Sequence, residues 1–381
     1  MNQRYFSSLL AVFLTTASML NGQANYTFSF NYGGYNRNYI VHLPPAYTQG
    51  VSLPLVFNLH GYTSEALQQQ VYSGMDAIAD TGNFIVVYPN GINNAWNSFL
   101  YPGTGLPDDV GFVSAVIDSM YYRYNIDLSR VYACGMSNGG YMSYRLACEL
   151  SNRIAAIASV TGLLAPDILA NCAPSRIVPV MQVHGTNDLT VPYNGAPGYG
   201  SVDETIAYWV ANDSCNPSPS MQSLPNTNTS DNSTVELYTY TGISPHSKVL
   251  LYKVLNGSHT WPGAPFDLPA LVTNKDINTS SEIWNFFKQF QHENPLQVTG
   301  IDNVNQSELK FYPNPFSNEI AVEAKGDELQ SITLYNLLGS KVLEEKISGQ
   351  SANINTTTLG KGLYLLLVET SRGSQSFKVV K

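Results

Sequence analysis

Charge is what this sequence has least of. Only 12% of its 381 residues are Asp, Glu, Lys or Arg, about half the ~25% usual in soluble domains. The 19 Lys and Arg residues form no block, and the formal net charge is −9. A phosphate backbone would find no basic stripe to neutralise, which argues against nucleic acid as a partner. Cysteine is also scarce. Cys134, Cys148, Cys172 and Cys215 are the four present, and none has the CxxC spacing of a zinc or dithiol site. Beyond the first residues no stretch is apolar and long enough to span a bilayer, so no transmembrane segment is expected in the mature protein.

What is present is apolar and neutral polar. Hydrophobic residues make up 44%, enough for a sizeable core, and the length suits one large domain plus a small one. The surface must then be built largely from Asn, Ser, Thr, Gln and Tyr. At the N-terminus, Arg4 precedes an uncharged apolar run, Ser8 to Leu20, followed by small and polar residues up to Ala24. Residues 1–24 therefore read as a cleaved signal peptide. In an exported chain the four cysteines can pair in three ways. Cys148 with Cys172 is the pairing favoured, and Cys134, within an apolar run, reads as a buried thiol.

Apolar runs at Val51–Leu59, Asn83–Tyr88, Arg130–Cys134, Ala155–Val160 and Val178–Val183 suit strands buried on both faces. Helical patterns lie between and after them, at 109–124, 138–150 and 201–210. This alternation predicts an α/β fold with a mostly parallel sheet. A polar stretch, Asp213–Ser247, contains one alternating segment, Thr234–Tyr240, which is expected to pair with Lys248–Leu255. A helix at Ser280–Phe290 closes a domain of residues 25–290. Residues 291–303 read as a linker. Residues 304–381 then carry short strands, at 310–323, 331–335, 341–347 and 362–369, of a small all-β sandwich.

The sharpest chemical signal is Gly135-Met136-Ser137-Asn138-Gly139-Gly140, a G-x-S-x-G sequence at a predicted strand-to-helix junction. Such a turn projects the serine hydroxyl from the carboxyl end of the sheet, and small neighbours let strand and helix approach. The N–H of Asn138, at the helix start, is suited to an oxyanion. The second donor is expected from the loop after the first buried strand, as the N–H of Tyr62.

A nucleophilic serine needs a base, and six histidines are present. His42, His60, His184, His246 and His292 each have ordinary structural readings. His259 lies on a Gly/Pro-punctuated loop after a predicted strand and follows the candidate acid. The order serine, acid, histidine is the one α/β-hydrolases use. The acid is expected to be Asp188, after the strand that ends at Val183. Asp203 and Asp108/Asp109 are its rivals, and Asp109 also suits a helix N-terminus. Trp261, Trp96 and His60 are expected to line the cleft and contact substrate.

LHGYT (59–63), DDVGFVSAVID (108–118), GMSNGGYMSYRLACE (135–149), HGTNDLTVPY (184–193) and GSHTWPG (257–263) together resemble secreted polyhydroxybutyrate depolymerase-like and feruloyl esterase-like hydrolases, over roughly residues 39–291. The resemblance implies an α/β-hydrolase fold, triad roles for Ser137, Asp188 and His259, and no cofactor or metal. It implies action on feruloyl esters, acetylated xylan or short polyesters. Two departures are Tyr62, where relatives often carry Cys or Gly, and Cys215, which has no later cysteine to pair with.

FYPNPF (311–316), LYNLLG (334–339) and LGKGLY (359–364), with Lys378 and Lys381, are similar to the type A C-terminal sorting domain of the type IX secretion system. That implies export across an outer membrane by secretion machinery, to the cell surface or medium. The expectation is a secreted serine esterase, acting on feruloyl or acetyl esters of plant polysaccharide. The alternatives are a polyester depolymerase, a peptidase on the same fold, and a non-catalytic glycan-binding or adhesin protein.

Overall fold

The computed structural model describes residues 24–99, 106–197, 200–296, 308–326, 328–336, 341–370 and 373–381. The predicted signal peptide up to residue 23, and most of the predicted linker, lie outside these. The chain divides into two compact units, Met1–Val298 and Thr299–Lys381.

The first unit runs β1 (Ala24–Tyr32), β2 (Tyr35–Leu43), β3 (Leu55–Leu59), α1 (Ala66–Ser73), α2 (Met75–Gly82), β4 (Ile85–Pro89), α3 (Asp109–Tyr124), β5 (Val131–Met136), α4 (Asn138–Glu149) and β6 (Ala156–Val160). It continues with α5 (Pro166–Leu169), β7 (Val180–Gly185), α6 (Val202–Asn212), β8 (Ser220–Ser223), β9 (Thr234–Thr241), β10 (Lys248–Leu255) and α7 (Thr279–Phe287). Its sheet has the order β1-β2-β4-β3-β5-β6-β7-β10-β9-β8. The central strands β4, β3, β5, β6, β7 and β10 are parallel, flanked by antiparallel strands at both ends.

The apolar runs are continuous because both faces of the sheet are covered. Leu55, Phe57 and Leu59 of β3 enter one core with α3, α4 and α6, while Val56 enters the other with α2 and α7. The α/β expectation is met. The β1–β2 hairpin was not anticipated: Tyr26, Phe28, Phe30 and Tyr32 alternate with polar residues, a half-exposed pattern unlike the buried central strands. Nor were α1 and α2, which are only eight residues each and meet at Gly74, whose φ is 60°.

The first unit extends past the expected helix. Phe290 and His292 are buried, His292 N–H donates to the Ser129 carbonyl, and Leu296 N–H donates to that of Asn152. The linker boundary at 291 therefore moves toward the C-terminus. Cys148, in α4, and Cys172 form a disulfide, and Cys134 and Cys215 are buried thiols.

Asp213, after α6, is fully buried. Its Oδ1 accepts from Val178 N–H and the Asn212 amide, and Oδ2 has no hydrogen-bond partner among the described residues. Burial pushes its carboxyl up to about 7. The folded state thus holds the proton more tightly than the unfolded chain. This favours folding fully below about pH 4 and is lost as pH rises to about 7. Asp213→Asn should flatten that slope and raise stability at pH 8 by on the order of 2 kcal/mol. Denaturant titrations at pH 5 and pH 8 would check it, and equal losses in both proteins would refute it.

In the second unit β11 (Glu308–Tyr312), β12 (Glu319–Lys325), β13 (Leu329–Tyr335), β14 (Lys341–Gly349), β15 (Ser351–Asn355), β16 (Leu363–Thr370) and β17 (Gly373–Val380) form sheets of order β11-β12-β15 and β14-β13-β16-β17. The single strand expected at 310–323 is two strands, because Pro313 and Pro315 interrupt the ladder between β11 and β12.

Candidate active site

Ser137 stands between β5 and α4 with φ 54° and ψ −119°, a strained conformation for a residue with a side chain. The adjacent glycines permit it. A Cβ on Gly135 would lie 2.6 Å from Gly139 backbone, and one on Gly139 would lie 2.2 Å from the Leu59 carbonyl oxygen. Any side chain there would force β3, β5 and α4 apart. As the first residue of α4, Asn138 has an N–H with no carbonyl to pair with inside the helix. The Asn138 side chain is committed elsewhere: Oδ1 accepts from Trp96 N–H at 2.6 Å, and Nδ2 donates to Ser98 Oγ at 2.7 Å. The His60-Gly61-Tyr62 loop runs beside the serine, since a Cβ on Gly61 would lie 3.5 Å from Ser137 Cβ.

Asp188 follows β7, is 2% exposed, and is built into its loop. Its Oδ1 accepts from the N–H groups of Thr190 and Val191, and its Oδ2 lies 2.7 Å from His259 Nδ1. A carboxylate only accepts, so His259 Nδ1 carries the proton and Nε2 is left to take one up. Sequence reasoning missed the brace beneath this loop. His184 Nε2–H donates to the Val191 carbonyl while Nδ1 accepts from Gln182. Burial pushes His184 down to about 4, so it stays neutral.

The loop that carries His259 is tied to α1. Trp261 N–H donates to Tyr72 Oη at 3.2 Å, Trp261 Nε1–H donates to Ser280 Oγ, and the Ser280 hydroxyl donates to the Ser73 carbonyl. No short motif signals this tie. Tyr72→Phe would leave the buried N–H unpaired and loosen the loop two residues from His259. We expect kcat to fall about ten-fold, or ~1.4 kcal/mol, with a smaller change in KM. An unchanged kcat would contradict the tie.

Ser137, His259, Tyr62 and Gly61 line one cavity of about 520 Å³. Three expected substrate contacts are corrected. Trp261 is fully buried in its own loop. Trp96 is 3% exposed, its Nε1–H donating to the His60 carbonyl. His60 is fully buried, Nδ1–H donating to the Gly61 carbonyl and Nε2 accepting from Gly91 N–H. Burial pushes His60 down to about 4. All three support the loops around the cavity without lining it. Of the rival acids, Asp109 pairs with buried Arg37 at 2.7 Å, Asp108 caps α3, and Asp203 sits in the first turn of α6. His42 is buried between Asn25 and Asp80, and His246 lies 3.9 Å from Glu293.

Residues 104–222 match the phospholipase/carboxylesterase family, and residues 310–381 match the secretion system C-terminal sorting domain. The esterase-like protein NocK of Nocardia uniformis subsp. tsuyamanensis is 30% identical over 279 residues, which are 66% of this chain and 79% of that one. Feruloyl esterase B of Piromyces equi is 33% identical over 165 residues, 42% of this chain and 30% of that one. This chain spans only 21–30% of the length of some curated relatives. An acetyl xylan esterase from Aspergillus awamori has the same fold, with a TM-score of 0.51 at 14% identity over 69% of this chain and 99% of that chain. With a sheet of α/β-hydrolase order, a serine on the tight turn after β5 and relatives of this kind, the chain belongs to the feruloyl esterase-like family of α/β-hydrolase carboxylesterases, and its residues 310–381 belong to the secretion-system sorting domains.

Proposed function

We propose that the protein is a serine esterase in which Ser137 is the nucleophile, His259 the general base and acid, and Asp188 the group that fixes the imidazole. The observation that carries this is the 2.7 Å contact between buried Asp188 and His259 Nδ1, with His259 and Ser137 facing one cavity. His259 Nε2 takes the Ser137 proton as Oγ attacks the ester carbonyl. The N–H groups of Asn138 and Tyr62 receive the developing oxyanion. Collapse expels the alcohol, protonated by His259, and leaves an acyl-serine. Water, deprotonated by His259, then releases the acid and restores the serine. The Asp188 charge stabilises the imidazolium in both steps.

The substrate class we propose is an ester on plant cell-wall polysaccharide, feruloyl or acetyl. The feruloyl esterase and acetyl xylan esterase relatives support this, as does a chain equipped for export. The apolar side chains in the cavity also suit a short polyester. Product release from methyl ferulate, acetylated xylan and polyhydroxybutyrate, each beside a Ser137→Ala control, separates these readings. Silence on all three would favour a non-catalytic binding protein. The sorting domain we assign to outer-membrane export by type IX machinery. A reporter fused to residues 304–381 should leave a cell that has this machinery, and retention inside would refute the assignment.

A further inference from the structure

The two N–H groups assigned above to the oxyanion stand on different elements. Asn138 begins α4, and Tyr62 lies on the loop between β3 and α1. A third segment, residues 91–98, is bonded to both sides. On the helix side, the Asn138 carboxamide meets the Trp96 backbone twice. Its Oδ1 accepts from Trp96 N–H at 2.6 Å, and its Nδ2 donates to the Trp96 carbonyl at 3.2 Å and to Ser98 Oγ at 2.7 Å. A carboxamide offers this fixed pair of donor and acceptor, whereas a carboxylate only accepts.

On the loop side, Trp96 Nε1–H donates to the His60 carbonyl at 3.0 Å, and the two rings lie 5.0 Å apart. Gly91 N–H donates to His60 Nε2, and Thr63 N–H donates to the Asn94 carbonyl. Tyr62 is thus bracketed by residues tied to the segment. The segment is anchored in turn. A Cβ on Gly91 would lie 2.2 Å from the Ala95 carbonyl oxygen, so the chain folds back tightly on itself there. Asn97 N–H donates to buried Asp109, which pairs with Arg37 at 2.7 Å.

We propose that segment 91–98 is a strap that sets the spacing of the two oxyanion donors, with Trp96 and the Asn138 side chain as its positioning groups. The proposal rests on the serine esterase reading above. None of these ties involves Asp188 or His259, so loosening the strap leaves the base as it is. What weakens is the hold on the charge that develops at the ester oxygen, an interaction worth most in the transition state. The loss therefore falls on kcat rather than KM.

The test is kcat and KM for p-nitrophenyl acetate across pH, in the full-length protein, Trp96→Phe, Asn138→Ala and the double variant, each beside a thermal melt. Trp96→Phe deletes the indole donor and keeps an aromatic ring. Asn138→Ala deletes the carboxamide and keeps the backbone N–H. Each should lower kcat about 30-fold, inside the ~100-fold that a misplacement of roughly 1 Å can cost, while KM changes less than about 3-fold. The acidic limb of the pH–rate profile, which reports the base, should not move. The ties act in series, so cutting one already frees the donors, and the double variant should lose little more than either single. If neither single folds, Ser98→Ala, which deletes one hydroxyl, decides the matter and should lower kcat about 3-fold. Unchanged kcat in a folded variant, losses that multiply in the double variant, or a shifted acidic limb would overturn the strap and leave the esterase reading standing. No turnover by the unaltered protein would overturn both.

Discussion

Ser137→Ala should remove ester turnover, lowering kcat by roughly 10⁵–10⁶-fold, the loss expected when the nucleophile of a cooperating triad is deleted. The fold should survive. Alanine keeps the Cβ, so the strain at φ 54° is unchanged. Among the described residues no hydrogen bond from the Ser137 hydroxyl holds the elbow together; its backbone does, through Ser137 N–H to the Val160 carbonyl and the Ser137 carbonyl to Tyr141 N–H. Stability should therefore stay within about 0.5 kcal/mol. Turnover measured beside a thermal melt checks both halves. Substantial residual kcat in a folded variant would show that another group attacks the ester.

Asp188→Asn should cost nearly as much, about 10³–10⁴-fold in kcat, for a different reason. Asn is isosteric and can still accept from Thr190 and Val191 N–H through Oδ1. Its amide, however, would present a donor to His259 Nδ1, where the carboxylate now accepts at 2.7 Å. The imidazole would then be held with its proton on Nε2, the wrong nitrogen for taking one from Ser137. The negative charge that steadies the imidazolium would be lost as well. Single-turnover acylation should slow while KM moves little. A variant within ten-fold of the unaltered enzyme would assign the acid role to another residue.

The central sheet was readable because its strands are buried on both faces. LVFNL (55–59) and AIASV (156–160) are fully buried, and continuous apolar runs are what two covered faces require. The tight turn at Ser137 was readable because no side chain fits at Gly135 or Gly139, which writes a short local motif. Asp188 and His259 lie 71 residues apart, so their meeting is a property of the sheet, and chain order together with their places after predicted strands suggested the pair. What was not readable is the support behind these residues. Trp261 and Trp96 looked like cleft walls because large aromatics near a site often are. Each proves to spend its indole N–H on a neighbouring element, Trp261 on Ser280 in α7 and Trp96 on the His60 carbonyl. Conversely Leu67 and Val71 lie on α1, two turns of helix with little sequence signature, and so the actual wall of the cavity was not foreseen.

The most direct measurement is labelling of the full-length protein with a fluorophosphonate probe, followed by peptide mapping of the adduct. Only a serine activated by a correctly held base reacts readily. The account predicts one adduct, on Ser137, formed much more slowly in Asp188→Asn and absent in Ser137→Ala. No adduct on the unaltered protein, or one that persists on another residue in Ser137→Ala, would contradict it.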